Sequence, residues 1–165
     1  MKKITKYTLV VFTLLAFSTS FALADLVGAW LFDGGSLADS SGNGHDGEAA
    51  QGDPKQAGGK YGDAMEFFGA DMVTVEDDDA LDLASFTLAA WINVDGQSGK
   101  WQVVAAKEGR NPTARNYGMF CNINSGVIHY SFTSGNNWNS FDAKTVVTDG
   151  SWHHVATTLD RKSVV

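Results

Sequence analysis

The sequence predicts an all-β protein, a sandwich of two antiparallel sheets, and three observations support it. Apolar residues come in short runs and never keep helical spacing over a long stretch. Gly, Asn, Asp and Ser separate these runs, and the chain holds 18 Gly but only 2 Pro. Five Trp and ten Phe supply bulk for a core, which a disordered acidic linker would lack.

Residues 1–24 read as an export signal rather than as part of the fold. Lys2, Lys3 and Lys6 give a basic start, Tyr7–Phe17 is an apolar run, and Ala22-Leu23-Ala24 forms a small-residue cleavage site. The run is shorter than the ~20 apolar residues of a spanning helix. Its removal leaves 141 residues, expected to form one domain from 25 to 165, with 9 basic and 19 acidic side chains. A net charge of −10 then excludes a nucleic-acid binder driven by phosphate contacts and disfavours docking on anionic lipid. The expected location is outside the cytoplasm: extracellular, cell-surface or periplasmic. The lone Cys121 excludes an internal disulfide and reads as a small buried hydrophobe in a strand.

The elements follow in order. Leu26–Phe32 is an apolar run, read as a first strand. Met65–Phe68 and Met72–Val75 flank Gly69-Ala70-Asp71 and read as a hairpin. In Phe86–Val94, Phe86, Leu88, Ala90, Ile92 and Val94 share one face, with Thr87, Ala89, Trp91 and Asn93 on the other. Val103–Lys107, Tyr117–Ile123, Val127–Phe132, Lys144–Val147 and Trp152–Leu159 complete the series. Trp91, and Val155 with Leu159 in the last run, leave bulky residues on both strand faces. Such a face is either covered by long loops or is a ligand surface lined by aromatics. After Leu159 a polar turn and Ser163-Val164-Val165 begin a further strand with nothing to pair it, so the sequence is expected to be truncated.

Ala29-Trp30-Leu31-Phe32-Asp33 and Ala38-Asp39-Ser40-Ser41-Gly42-Asn43-Gly44-His45-Asp46-Gly47 resemble the opening of laminin-G-like jelly-roll domains, members of the concanavalin A-like lectin and glucanase superfamily. Gly59–Phe67, Phe86–Ile92 and Trp152–Ala156 match further motifs in order. The resemblance implies a jelly-roll topology that lacks its C-terminal strands here. It also implies a recognition role, in some members with calcium.

The Asp39–Gly44 string has two readings. Asp and Ser that bond their own backbone, with Gly42 and Gly44 at positive φ, make a turn. Alternatively, Asp39, Asn43 and Asp46 offer hard oxygens to calcium, which needs 6–8 of them. Glu76-Asp77-Asp78-Asp79 reads as a solvated loop leading into a helical turn. His153 and His154 point to opposite faces of a strand and cannot jointly chelate one metal.

Nothing in the residues favours catalysis. Retaining glycanases of this superfamily need two carboxylates about 5–5.5 Å apart, and Glu48, Glu66, Glu76 and Glu108 show no alternating spacing on a strand. A binding module needs aromatics to stack on sugar rings and polar side chains for hydroxyls. Trp138 with Asn136 and Asn137 in the 134–140 stretch, Trp101 after Gly99-Lys100, and Arg110 in the 110–116 loop are the candidates. The expectation is a secreted, non-catalytic glycan-binding module, calcium-dependent in one form. The alternatives are a protein–protein adhesion domain and an accessory part of a glycoside hydrolase.

Overall fold

The structure, a computed structural model, describes residues 25–96, 99–109, 114–122, 124–135 and 137–160. The segment read as an export signal, Arg110, Asn136 and the strand expected from Ser163 lie outside the described residues. Ten strands are described: β1 (Gly47–Gln51), β2 (Lys55–Gly58), β3 (Asp63–Glu66), β4 (Met72–Val75), β5 (Phe86–Asp95), β6 (Gln102–Glu108), β7 (Arg115–Cys121), β8 (Val127–Ser134), β9 (Asn137–Val146) and β10 (Asp149–Leu159). Two short 3-10 turns, Asp33–Gly35 and Asp79–Leu81, are the only helical elements among the described residues.

All strand pairs are antiparallel. β6, β7, β8 and β9 form a four-stranded meander, and β5 pairs with β10. Strict alternation makes β5 a strand: its even-numbered residues are partly buried and its odd-numbered ones exposed. Leu88, Ala90, Ile92 and Val94 pack on Met119 and Cys121 of β7, Ile128 and Tyr130 of β8, Val147, and Val155 of β10. This inter-sheet layer is the core, and each large side chain placed in it contributes about 1.5–3 kcal/mol. Tyr130 ties the layers together: its ring stacks on Phe141 at 4.9 Å and its hydroxyl donates to the Ala156 carbonyl at 3.0 Å. Cys121 is 1% exposed, and burial pushes its thiol pKa up, away from the reactive thiolate.

Three sequence expectations change. Leu26–Phe32 forms no strand. The loop that follows consumes its backbone groups: Asn43 Nδ2 donates to the carbonyls of Leu26 (2.7 Å) and Val27 (3.0 Å), and Ser40 N–H donates to that of Ala29 (2.7 Å). Phe32 then turns the chain at φ 61°, outside the range of a strand. The hairpin of Met65–Phe68 with Met72–Val75 is replaced by two separate ladders. β3 pairs with β2 (Lys55↔Glu66) and β4 with β1 (Gly47↔Val75), although the Asp71 N–H to Phe68 carbonyl turn does form. An apolar run specifies extended backbone, but the partner of a four-residue strand depends on where remote segments lie. Finally, Lys144–Val147 is the tail of the longer β9, so Trp138 stands on a strand and not in a loop.

Candidate functional site

Because Met119 and Cys121 point into the core, Gly118 and Phe120 of β7 lie on the opposite face, where Phe120 is only 6% exposed. By the same alternation β8 presents His129, Ser131 and Thr133 outward, and β9 presents Trp138, Ser140 and Asp142. Register aligns these into rows: Phe120, His129 and Asp142 in one, and Gly118, Ser131 and Ser140 in the next. Thr133 lies opposite Trp138. Trp101, just ahead of β6, joins the same face.

At one end the Trp101 ring lies 4.9 Å from the His129 imidazole and meets Phe120 edge-on at 6.4 Å. His129 Nδ1 bonds Asp142 Oδ1 at 2.6 Å, which orients the imidazole. At the other end the Arg115 guanidinium is sandwiched between rings, its carbon 4.3 Å from the Phe120 centroid and 4.6 Å from that of Trp138. Arg115 also pairs with Glu108 and donates to the Ser131 hydroxyl, and its backbone N–H donates to Thr133 Oγ1 at 3.2 Å. Its Nε is buried with no acceptor among the described residues. A desolvated guanidinium over an aromatic face is worth about 2 kcal/mol, so two rings and a carboxylate fix this side chain firmly. Gly118 makes the arrangement possible, since a Cβ there would collide with the Phe120 ring and sit 2.8 Å from Arg115 Cδ. Trp101 and Trp138 remain 47% and 45% exposed.

The two tryptophans put forward by the sequence thus stand at opposite ends of one row of rings. Asn137 opens β9 beside them, its carbonyl accepting from Asn139 Nδ2 at 3.0 Å. Arg110 and Asn136 lie outside the described residues. Sequence reasoning did not single out Glu108, Phe120, His129 or Asp142, and it placed Arg115 in the 110–116 loop, whereas Arg115 opens β7. A signal existed in the runs Tyr117–Ile123 and Val127–Phe132, where Phe120 and His129 occupy the face opposite the core residues.

Asp39, Asn43 and Asp46 do share one loop, but protein donors occupy it. Asp39 Oδ1 accepts from the Ala29 and Ser41 N–H groups, both at 2.9 Å. Its Oδ2 accepts from the Ser41 hydroxyl at 2.7 Å and from His45 N–H at 3.1 Å. The Ser41 hydroxyl and these N–H groups hold the Asp39 carboxyl well below the usual carboxylate range. Asp46 Oδ1 accepts from Asp39 N–H at 2.8 Å. This geometry favours the self-bonded turn. Among the described residues, no three His, Cys, Asp or Glu side chains gather as for a metal ion. The acidic run is also matched internally: Lys107 Nζ lies 2.8 Å from Asp77 and 2.9 Å from Asp82, and Asp78 caps Ala80 N–H.

The outer face of β5 and β10 is aromatic too. Trp91 contacts His154 of β10 at 5.2 Å and, edge-on at 5.7 Å, Tyr61 from the β2–β3 turn. Lys60 Nζ lies 5.8 Å from the same indole. The β2–β3 turn thus reaches over part of this face while Trp91 stays 43% exposed, and a second ring-lined face lies on the other sheet.

A family model of the laminin-G-like type, described as the concanavalin A-like lectin/glucanases superfamily, matches residues 67–165. That stretch contains β4 to β10 and with them the whole ring-lined face; the Ala29–Gly47 motifs fall outside it. No curated protein and no solved structure matches the chain. Domains of this kind are in general non-catalytic modules that recognise carbohydrate or protein, and they are typically extracellular. Among the described residues no helix is long and apolar enough to cross a membrane. With its antiparallel sandwich and this match over more than half its length, the chain belongs to the concanavalin A-like lectin/glucanase superfamily as a laminin-G-like domain.

Proposed function

We propose that the protein is an exported, non-catalytic module that binds carbohydrate on the outer face of the β6–β9 sheet. The observation behind this reading is that Trp101 and Trp138, each nearly half exposed, share one face with fixed polar groups between them. The apolar C–H face of a pyranose stacks on an indole, and its hydroxyls need donors and acceptors in set positions. Ser140, Asp142 and His129 supply these from strands, which hold them more rigidly than loops would. Glu108 pairs with Arg115 and Asp142 is hydrogen-bonded to His129, so both carboxylates already have partners on this face.

A glycan array probed with the purified protein tests this reading, with Trp138→Ala as the control. Binding that survives the substitution, or binding only to a protein ligand, would move recognition elsewhere. A calcium-dependent form would place the ion at Asp39, Asn43 and Asp46. The four donors already on Asp39 favour the metal-free form, and a chelator arm of the same array separates the two.

A further inference from the structure

Two features of the ring-lined face narrow the ligand. The first is the row itself. Contacts of 6.4 Å (Trp101–Phe120), 4.3 Å (Phe120–Arg115) and 4.6 Å (Arg115–Trp138) link the two indoles, and Trp138 pairs opposite Thr133, four residues or about 13 Å along β8 from the His129 that Trp101 meets, farther than a single sugar ring reaches. The row runs across the sheet from the start of β6 to the start of β9. A site with stacking points at both ends and the exposed Ser140 and Asp142 on β9 between them suits a chain laid lengthwise. A chain end inserted into a pocket would not use both indoles.

The second feature is charge. Two groups on the face are already engaged within it: the Arg115 guanidinium pairs with Glu108, and the His129 imidazole is hydrogen-bonded to Asp142. Arg115 is only 15% exposed and lies between two rings, so turning it toward a ligand anion would break the sandwich and its pairing with Glu108. The chain as a whole carries a net charge of −7, which repels polyanions over the distance that salt does not screen.

We propose that this face takes a linear, uncharged polysaccharide, bound along the row from Trp101 to Trp138 and recognised within the chain rather than at its end. The proposal rests on the carbohydrate reading above and specifies its ligand class.

Titration calorimetry on the full protein tests it, using neutral cello-, xylo- and manno-oligosaccharides from monosaccharide to hexasaccharide, with oligogalacturonate and heparin fragments as acidic counterparts. At least one neutral series is expected to gain affinity with length until the ligand reaches both indoles, and then to level off. Trp101→Ala should cost that series about tenfold for the long ligands and little for the shortest, because it removes one of two stacking points. Affinity should vary little between low and high salt. Tightest binding by an acidic ligand with a steep salt dependence would overturn the proposal while sparing the carbohydrate reading, as would a monosaccharide matching its hexasaccharide. No binding to any sugar would overturn both. Circular dichroism on Trp101→Ala excludes misfolding as the cause of a loss.

Discussion

Trp91 and Trp138 make an informative pair. Both stand on strands, both face away from the core, and their exposures are 43% and 45%. Each has a cation nearby: Lys60 Nζ 5.8 Å from Trp91, and the Arg115 guanidinium 4.6 Å from Trp138. The difference is where the neighbours come from. Tyr61 and Lys60 belong to the β2–β3 turn, so Trp91 is the seam that fastens the N-terminal hairpin to the sandwich. The described neighbours of Trp138 all belong to the β6–β9 sheet, and no remote segment is seen to use it. Exposure and aromatic content therefore do not separate a packing seam from a binding platform. The origin of the covering groups does.

The strongest way to break this comparison is to remove what both faces share. Met119 is fully buried between the layers, and Met119→Ala is expected to cost about 2–5 kcal/mol, with both faces lost together in one unfolding transition by urea. Survival of either face in a separate transition would show that the sheets do not depend on a common core.

Exchanging the two tryptophans sharpens it. Trp138→Ala should lower glycan affinity about tenfold or more with little change in the urea midpoint. Trp91→Ala should leave affinity unchanged and cost about 1–2 kcal/mol of stability, the loss of its contacts with Tyr61 and His154. The opposite pattern would transfer the site to the β5–β10 face. Gly118→Ala is a subtler probe of the same face. The added Cβ must displace Phe120 and Arg115, so affinity should fall a few-fold while the fold persists at a cost of about 1–3 kcal/mol. Retention of full affinity would show that the guanidinium sandwich does not position the ligand groups.

The sandwich was legible because alternation is a local property. Phe86–Val94 states its buried face residue by residue, and β5 has that pattern. The first strand and the early hairpin were not legible. Whether Leu26–Phe32 pairs depends on a loop ten or more residues away, whose Asn43 binds its carbonyls and whose Asp39 accepts from the Ala29 amide. The candidate site was half legible for a similar reason. Trp101 and Trp138 stand out by residue type, but Arg115 looks like one more polar residue until register brings Ser131 and Trp138 beside it across two hairpins. Residue type is written in the sequence, whereas company across strands is set by pairing.

The smallest expected effect separates the N-terminal segment from the sandwich by pH. Asp39 is held below its ordinary value of about 3.9, first by the Ser41 hydroxyl and then by the backbone N–H groups of Ala29, Ser41 and His45. Its folded pKa is therefore lower than its unfolded one, so the unfolded state binds the extra proton first. The stabilisation is complete above about pH 5 and fades as pH falls through the ordinary carboxylate range toward the depressed folded value. Asp149, held down mainly by His153, gives β10 an acid sensitivity of the same sign, so a global probe would mix the two. A local probe does not. Amide hydrogen exchange at Ala29 and His45 should accelerate as pH drops below about 4 beyond the intrinsic pH trend, while the amides of β7 and β8 stay protected. In Asp39→Asn the anionic acceptor is gone at every pH, so exchange at those two amides should already be fast at neutral pH and lose its extra acid dependence. If both amides remain protected in that variant, the segment is held by Asn43 and the turn backbone instead, and the carboxylate is a bystander.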